Sequence, residues 1–389
     1  MKKRLIPMIG AAAFASSVAN ASEISIYGNA HVSIDWFSID MIGEPEDGGY
    51  TGWALSKGKI GKGNHRASYI GLKGSEAFDD NLNIIYQIEF GVPLTNESDY
   101  DIDNGDQGIA GTIRMRDSYI GLKSKLGTIF VGRHDTPLNQ STEPLDLFND
   151  SMADYAGTLE FHDINADNIL AYISPSWGGF QIFAGSIPGA GSTVFGEKNH
   201  NVIGLAEAYS LATTYTNDPW YASIAYEVMD EQLGGRICAL RYRHTCNDYK
   251  KLRAGLGVRD LNGFRLSGIY ENQRSINLTK NINGKDNDAD VWQVQAGYAF
   301  GKNMIKGMYG GAIRNADSKP DIKSWAAGFD HNFGKRTKAY LIYTNVDIDN
   351  KGTTSEEWGK VWLDELTAVE LGTGRSSWKG FSLGLIHKF

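Results

Sequence analysis

Apolar and aromatic residues recur at every second position through segment after segment of this chain, with polar or small residues between them. That is the period of a β-strand with two unlike faces. In the clearest case Trp292, Val294, Ala296, Tyr298 and Phe300 interleave with Gln293, Gln295, Gly297 and Ala299. Trp220, Ala222, Ile224, Tyr226 and Val228 alternate with Tyr221, Ser223, Ala225 and Glu227. Leu252, Ala254, Leu256 and Val258 alternate with Arg253, Gly255, Gly257 and Arg259. In these last two segments the second face carries charge.

A soluble sandwich alternates too, so the connections decide between a core and lipid. The pattern predicts sixteen strands, over 23–37, 64–73, 81–92, 112–123, 126–135, 166–174, 179–187, 201–216, 219–230, 250–260, 263–273, 289–301, 303–314, 323–334, 337–348 and 379–389. Short connections such as Asn217-Asp218, Leu261-Asn262, Lys302 and Lys335-Arg336 alternate with long ones over 38–63, 93–111, 136–165 and 349–378. Tight turns at one end and long loops at the other are what an up-and-down, transmembrane antiparallel β-barrel requires. Closure satisfies every backbone group within hydrocarbon, which an open sheet cannot do. The fold class expected is therefore all-β.

The inward face contains Gln87, Glu89, Arg253, Arg259, Gln293 and Gln295. Burying several unpaired charges in an apolar core would cost several kcal/mol each, more than a domain's net stability allows. A water-filled lumen removes that cost, so a polar interior in a barrel this wide implies a channel.

The remaining features fit export. Lys2, Lys3 and Arg4 precede a short apolar stretch and the triplet Ala19-Asn20-Ala21, the pattern of a signal peptide over 1–21, leaving a single barrel domain over 22–389. No stretch reaches the roughly 18 consecutive apolar residues of a spanning helix. The formal charge of −8 includes those three cations, so the remainder is more acidic still, which disfavours nucleic-acid binding. Cys238 and Cys246 are the only cysteines, and in an oxidising compartment they read as a local disulfide.

Specific stretches carry a family resemblance. Arg66 to Lys73 reads RASYIGLK and Arg116 to Lys123 reads RDSYIGLK; Leu126-Gly127-Thr128, Gly132-Arg133, Asp167 to Pro175 (DNILAYISP) and the closing Gly384 to Phe389 follow. Together these resemble the Gram-negative general diffusion porins, across nearly the whole chain after residue 21 and most strongly before residue 187. The resemblance implies an outer-membrane homotrimer passing small hydrophilic solutes and ions, in contact with lipid and lipopolysaccharide. It also implies that Phe389, which shares a face with Phe381, Leu383, Leu385 and His387, belongs to a signal read by the outer-membrane assembly machinery.

The same resemblance implies that the third long loop, 136–165, folds into the lumen as a constriction. Its acids Glu143, Asp146, Asp150 and Asp154 would then face Arg114 and Arg116 on the wall, giving a transverse field. Tyr69 and Asn165 stand where the family often has further wall arginines. With more loop acids than wall arginines, a mild cation preference is expected. Arg133 shares a face with Ile129 and Val131 and is expected to point outward.

Other functions find less support. The chain has neither G-x-S-x-G nor H-E-x-x-H, and His134-Asp135 and His162-Asp163 are neighbours in sequence rather than an assembled dyad. Asp99, Asp101, Asp103 and Asp106, like Asp286, Asp288 and Asp290, lack the glycine placement and terminal Glu of a calcium loop. No metal or cofactor is therefore expected. The alternative functions are a substrate-selective outer-membrane channel and an outer-membrane receptor. Stacking sugars would need aromatic side chains along the lumen, and the strand aromatics are expected mostly outside.

Overall fold

The computed structural model describes residues 23–40, 50–55, 68–92, 94, 114–161, 163–188, 205–229, 249–274, 288–314, 321–349 and 377–389. The expected signal peptide, Cys238, Cys246, His162, Asp286 and the acids of 99–106 lie outside these residues, as does the side chain of Arg114.

Eighteen strand segments are described: β1 (Glu23–Asp40), β2 (Tyr50–Leu55), β3 (Tyr69–Asp79), β4 (Leu82–Gly91), β5 (Arg114–Met115), β6 (Ser118–Ser124), β7 (Gly127–Asp135), β8 (Asn165–Ile173), β9 (Phe180–Ile187), β10 (Ala208–Asn217), β11 (Trp220–Met229), β12 (Tyr249–Leu261), β13 (Phe264–Arg274), β14 (Ala289–Phe300), β15 (Asn303–Arg314), β16 (Asp321–Asn332), β17 (Thr337–Asp349) and β18 (Ser377–Lys388). They form sixteen staves. β2 and β3 share one stave, pairing with β1 over Ile34–Ile39 and Glu23–Asn29 respectively. β5 and β6 share another, both against β4. Every pairing is antiparallel, and β18 returns to β1 in the register Asn29↔Lys388 to Asp40↔Ser377, closing the barrel.

The expected strand ranges each fall on a stave, with one correction. The stretch 38–63, read as a loop, contains β2, because Trp53 and Leu55 continue the apolar alternation onto the outer surface and the upper half of β1 offers a free edge for pairing. Short turns behave as their residues dictate: Asn262 (φ 53°) and Gly263 (φ 91°) both adopt the left-handed conformation that a two-residue hairpin needs.

Exposure separates the two faces. Leu256 is 63% exposed and Leu266 60%, as apolar groups turned to lipid are, while Arg253 on the other face of β12 is fully buried. Among the described residues no helix is long and apolar enough to cross a membrane.

The interior is less uniformly polar than the alternation implies. Inward Ile269, Val291, Ala312, Ile322, Val346 and Trp378 form a buried apolar cluster with Leu145, Met152, Tyr155, Leu159 and Phe161 of the segment that follows β7. Each such side chain fully removed from water contributes about 1.5–3 kcal/mol, so this surface is a seat for that segment.

Candidate functional site in the barrel lumen

The segment 136–161 runs across the inner wall. It starts at Thr136, whose amide donates to Ile164 O at 3.0 Å and whose hydroxyl caps the short helix α1 (Pro137–Gln140). It then meets successive staves in chain order. Ser210 Oγ on β10 accepts from Leu138 N at 3.0 Å, Tyr221 Oη on β11 donates to Ser141 O at 2.9 Å, and Arg253 Nη1 on β12 donates to Thr142 Oγ1 at 3.2 Å. Ser267 Oγ on β13 donates to Leu145 O at 2.8 Å. Gln295 Oε1 on β14 accepts from Leu147 N at 2.6 Å, and Lys306 Nζ on β15 donates to Leu147 O at 2.6 Å.

The return limb is held as firmly. A second short helix, α2 (Tyr155–Thr158), is capped by Asp154, whose Oδ1 accepts from Ala156 N at 2.9 Å. Glu160 then pairs with Arg314 on β15 and accepts from Gln273 Nε2 at 3.0 Å. Wall glycines make the close approach possible. A methyl at Gly257 would lie 2.6 Å from Leu145 Cδ2, and one at Gly310 would lie 2.5 Å from Leu159 Cδ1.

This path corrects several sequence expectations. Arg253, expected to line the pore, is sealed between loop and wall: it pairs with Glu271 at 2.6 Å and Asp163 at 2.7 Å, beneath the rings of Tyr155 and Phe161. Gln293 and Gln295 are buried for the same reason, Gln295 as a clamp on the loop. Two of the four loop acids are also structural. Asp146 Oδ1 accepts from Gln295 Nε2 and from Phe148 N, both at 2.8 Å, and Asp154 Oδ2 accepts from Asp150 N at 3.0 Å. Glu143 and Asp150 stay partly accessible.

On the facing wall Arg116 is 39% exposed and paired through Nε with Glu89 Oε1 at 2.6 Å, so its charge is largely cancelled. Its guanidinium lies 5.1 Å from the centre of the Tyr69 ring, which explains what replaces the expected arginine there. Tyr27 also faces inward, bonded to Glu89 Oε2 at 3.0 Å and 6.0 Å from Tyr69. Two aromatic side chains therefore reach the lumen, while many strand aromatics, among them Trp220, Phe264, Tyr309 and Phe381, are on the outer face as expected. Gln87 Nε2 donates to Asp117 O at 3.2 Å, while Asn165 donates to Asp117 Oδ1 at 2.7 Å. Arg259 lies at the short-turn end, paired with Asp218 and over the Tyr221 ring. The Arg114 backbone pairs with Gly91. Arg133 pairs with Asp167 beside the exposed Val131.

Sequence reasoning missed Lys306, Lys338 and Lys388. Lys306 and Lys338 share Asp330, at 3.1 and 3.3 Å. The alternation of β18 that turns Phe381, Leu383 and Leu385 outward also turns Lys388 inward, so that signal was available in the sequence. The loop acids feel this environment. Burial, reinforced by Asp150 and Asp117 and opposed by Lys388, pushes the Glu143 carboxyl up to about 7. Burial and the neighbouring Asp154 likewise push Asp146 up to about 7.

Known proteins share this closed antiparallel barrel fold. The family model for Gram-negative porins matches residues 9–352. The chain belongs to the Gram-negative porin family. Among its relatives, the major outer membrane protein P.IA of Neisseria meningitidis serogroup B is 24% identical, with 100% of each chain covered. The major outer membrane protein P.IB of Neisseria lactamica is 23% identical at the same coverage. Among solved structures, an anion-selective porin from Comamonas acidovorans superposes with a TM-score of 0.64 at 18% identity, covering 95% of this chain and 100% of that one. An OmpF of Salmonella typhi gives 0.59 at 15% identity, covering 94% and 97%. The porin is thus an outer-membrane diffusion channel of the bacterial envelope.

Proposed function

We propose that this porin passes small hydrophilic solutes and ions passively, and that segment 136–165 narrows its lumen. The observation that carries the reading is the succession of hydrogen bonds from that segment to inward side chains of β10 through β15. A loop held at so many points is a fixed partition rather than a solvated excursion. Glu143 and Asp150 on its accessible side, with Asp117 nearby, outweigh the wall cations, most of which carry their own carboxylate partners; this supports a mild cation preference.

A homotrimer fits this reading, since one of the similar structures, OmpT of Vibrio cholerae, is described in a trimer form. Export through residues 1–21, contact with lipopolysaccharide and recognition of the closing strand by assembly machinery complete it. The inward Tyr27 and Tyr69 favour a second reading, a channel with some selectivity for ring-bearing solutes.

The test is single-channel recording of the refolded protein in planar bilayers under a salt gradient. Large ohmic steps in groups of three, with a reversal potential on the cation side, are expected. Folded protein without conductance would overturn the channel reading, and an anion-side reversal would overturn the charge assignment alone.

A further inference from the structure

Most of the inward cations described are paired: Arg116 with Glu89, Arg253 with Glu271 and Asp163, Lys251 with Glu227, Arg314 with Glu160, and Lys306 and Lys338 with Asp330, whereas Lys73, 4.8 Å over the Tyr27 ring, and Arg265 have no carboxylate within ion-pairing distance among the described residues. A cation held against its own carboxylate projects little field into water beyond the pair. Lys388 is not so held. It is half-buried on the inner face of β18, in register with Asn29 of β1, and among the described residues no carboxylate lies within ion-pairing distance of it. The charges that act on it are those of Lys338 beside it and of Asp150 and Glu143 on the loop.

The register Lys388↔Asn29↔Tyr69 sets Lys388 at the level of the Tyr69 ring, with the Arg116 guanidinium beside it. Above Lys388 the inward positions of β18 are Ile386, Gly384, Ser382 and Gly380; Ile386 packs with Leu147 on the apolar cluster of Phe148 and Tyr340, and the space at Gly384 is filled by the Tyr340 ring of the adjoining stave.

We propose that Lys388 is a specificity-determining residue, the positive pole opposite Glu143 and Asp150, and that it gives anionic groups, including the carboxylate end of zwitterionic solutes, their path past the loop. This deepens the channel reading and rests on it. One strand then serves two ends: its outward face meets lipid through Phe381, Leu383 and Leu385, and its inward face sets the charge of the pore.

The experiment is Lys388→Cys in planar bilayers under a salt gradient, with thiol reagents added to channels already inserted. A reagent restoring a positive charge should lower the cation-to-anion permeability ratio by about tenfold, one unit charge at about 6 Å in water being worth about threefold on each ion in opposite directions, and a negatively charged reagent should raise it. Lys379→Cys, outward on the same strand, and the unsubstituted protein are the controls and should not respond. Should the cysteine variant not assemble, Lys388→Arg and Lys388→Gln replace it, with the ratio kept in the first and raised in the second. Conducting channels whose reversal potential ignores the charge at 388 would overturn the proposal and leave the channel reading standing. Absence of conductance from the unsubstituted, folded protein would overturn both.

Discussion

Arg253 Nε donates to Glu271 Oε2 at 2.6 Å, and neither side chain reaches water. Arg253 also reaches Asp163 and Thr142, at the two ends of the loop that lies on the inner wall, so one guanidinium ties both limbs to β12 and β13. Arg253→Met would take a buried counter-charge from Glu271 and Asp163, at a cost of about 3–5 kcal/mol. The expected outcome is a loosened loop: noisier single channels and faster proteolysis within 136–163. Arg253→Lys, which keeps the charge but not the fork, should fall between the two proteins.

Glu143 supplies a pH dependence. Its carboxyl, raised to about 7 chiefly by burial, is protonated below that value and charged above it. Cation preference should therefore fall as pH drops through 7 and rise on the alkaline side. Reversal potentials recorded about one unit either side of 7 should show the change, and Glu143→Gln should flatten it at the low-preference level. A slope that survives the substitution would assign the titration to another group.

Two glycines of β15 separate wall from lipid face. A methyl at Gly310 would lie 2.5 Å from both Leu159 Cδ1 and Trp292 O, and the latter, being backbone, cannot swing away. At Gly307 the nearest atom is Ala326 O at 3.5 Å, an ordinary contact. Gly310→Ala is expected to destabilise the loop seat by about 1–3 kcal/mol, and Gly307→Ala to stay within about 0.5 kcal/mol. Urea titration of the barrel in detergent, followed by tryptophan fluorescence, distinguishes them.

Phe389 completes the ring. Its amide and carbonyl exchange hydrogen bonds with Gly28, each at 3.1 Å, and its ring covers the space where a Gly28 side chain would be. Phe389→Ser keeps the backbone bonds and removes the ring from the seam. A lower yield of folded barrel is expected, read as the fraction of heat-modifiable species on electrophoresis, together with unaltered conductance of those barrels that form.

The chain's own pattern determined the staves and their faces. Strand period is a local property: once residues are extended, alternate side chains point to opposite sides whatever lies elsewhere. That is why Leu256 and Arg253, Trp292 and Gln293, or Phe381 and Lys388 could be assigned to their sides from the sequence alone. Which inward residues meet water was decided only by the tertiary structure. Arg253, Gln293 and Gln295 are covered because a loop more than a hundred positions away in several of its contacts lies over them, as Leu147 does on Gln295. The same loop brings Glu143 and Asp150 within electrostatic reach of Lys388. Local alternation says nothing about such long-range occlusion, since it depends on apolar packing between distant segments and on the pairing of charges that meet only when the barrel closes.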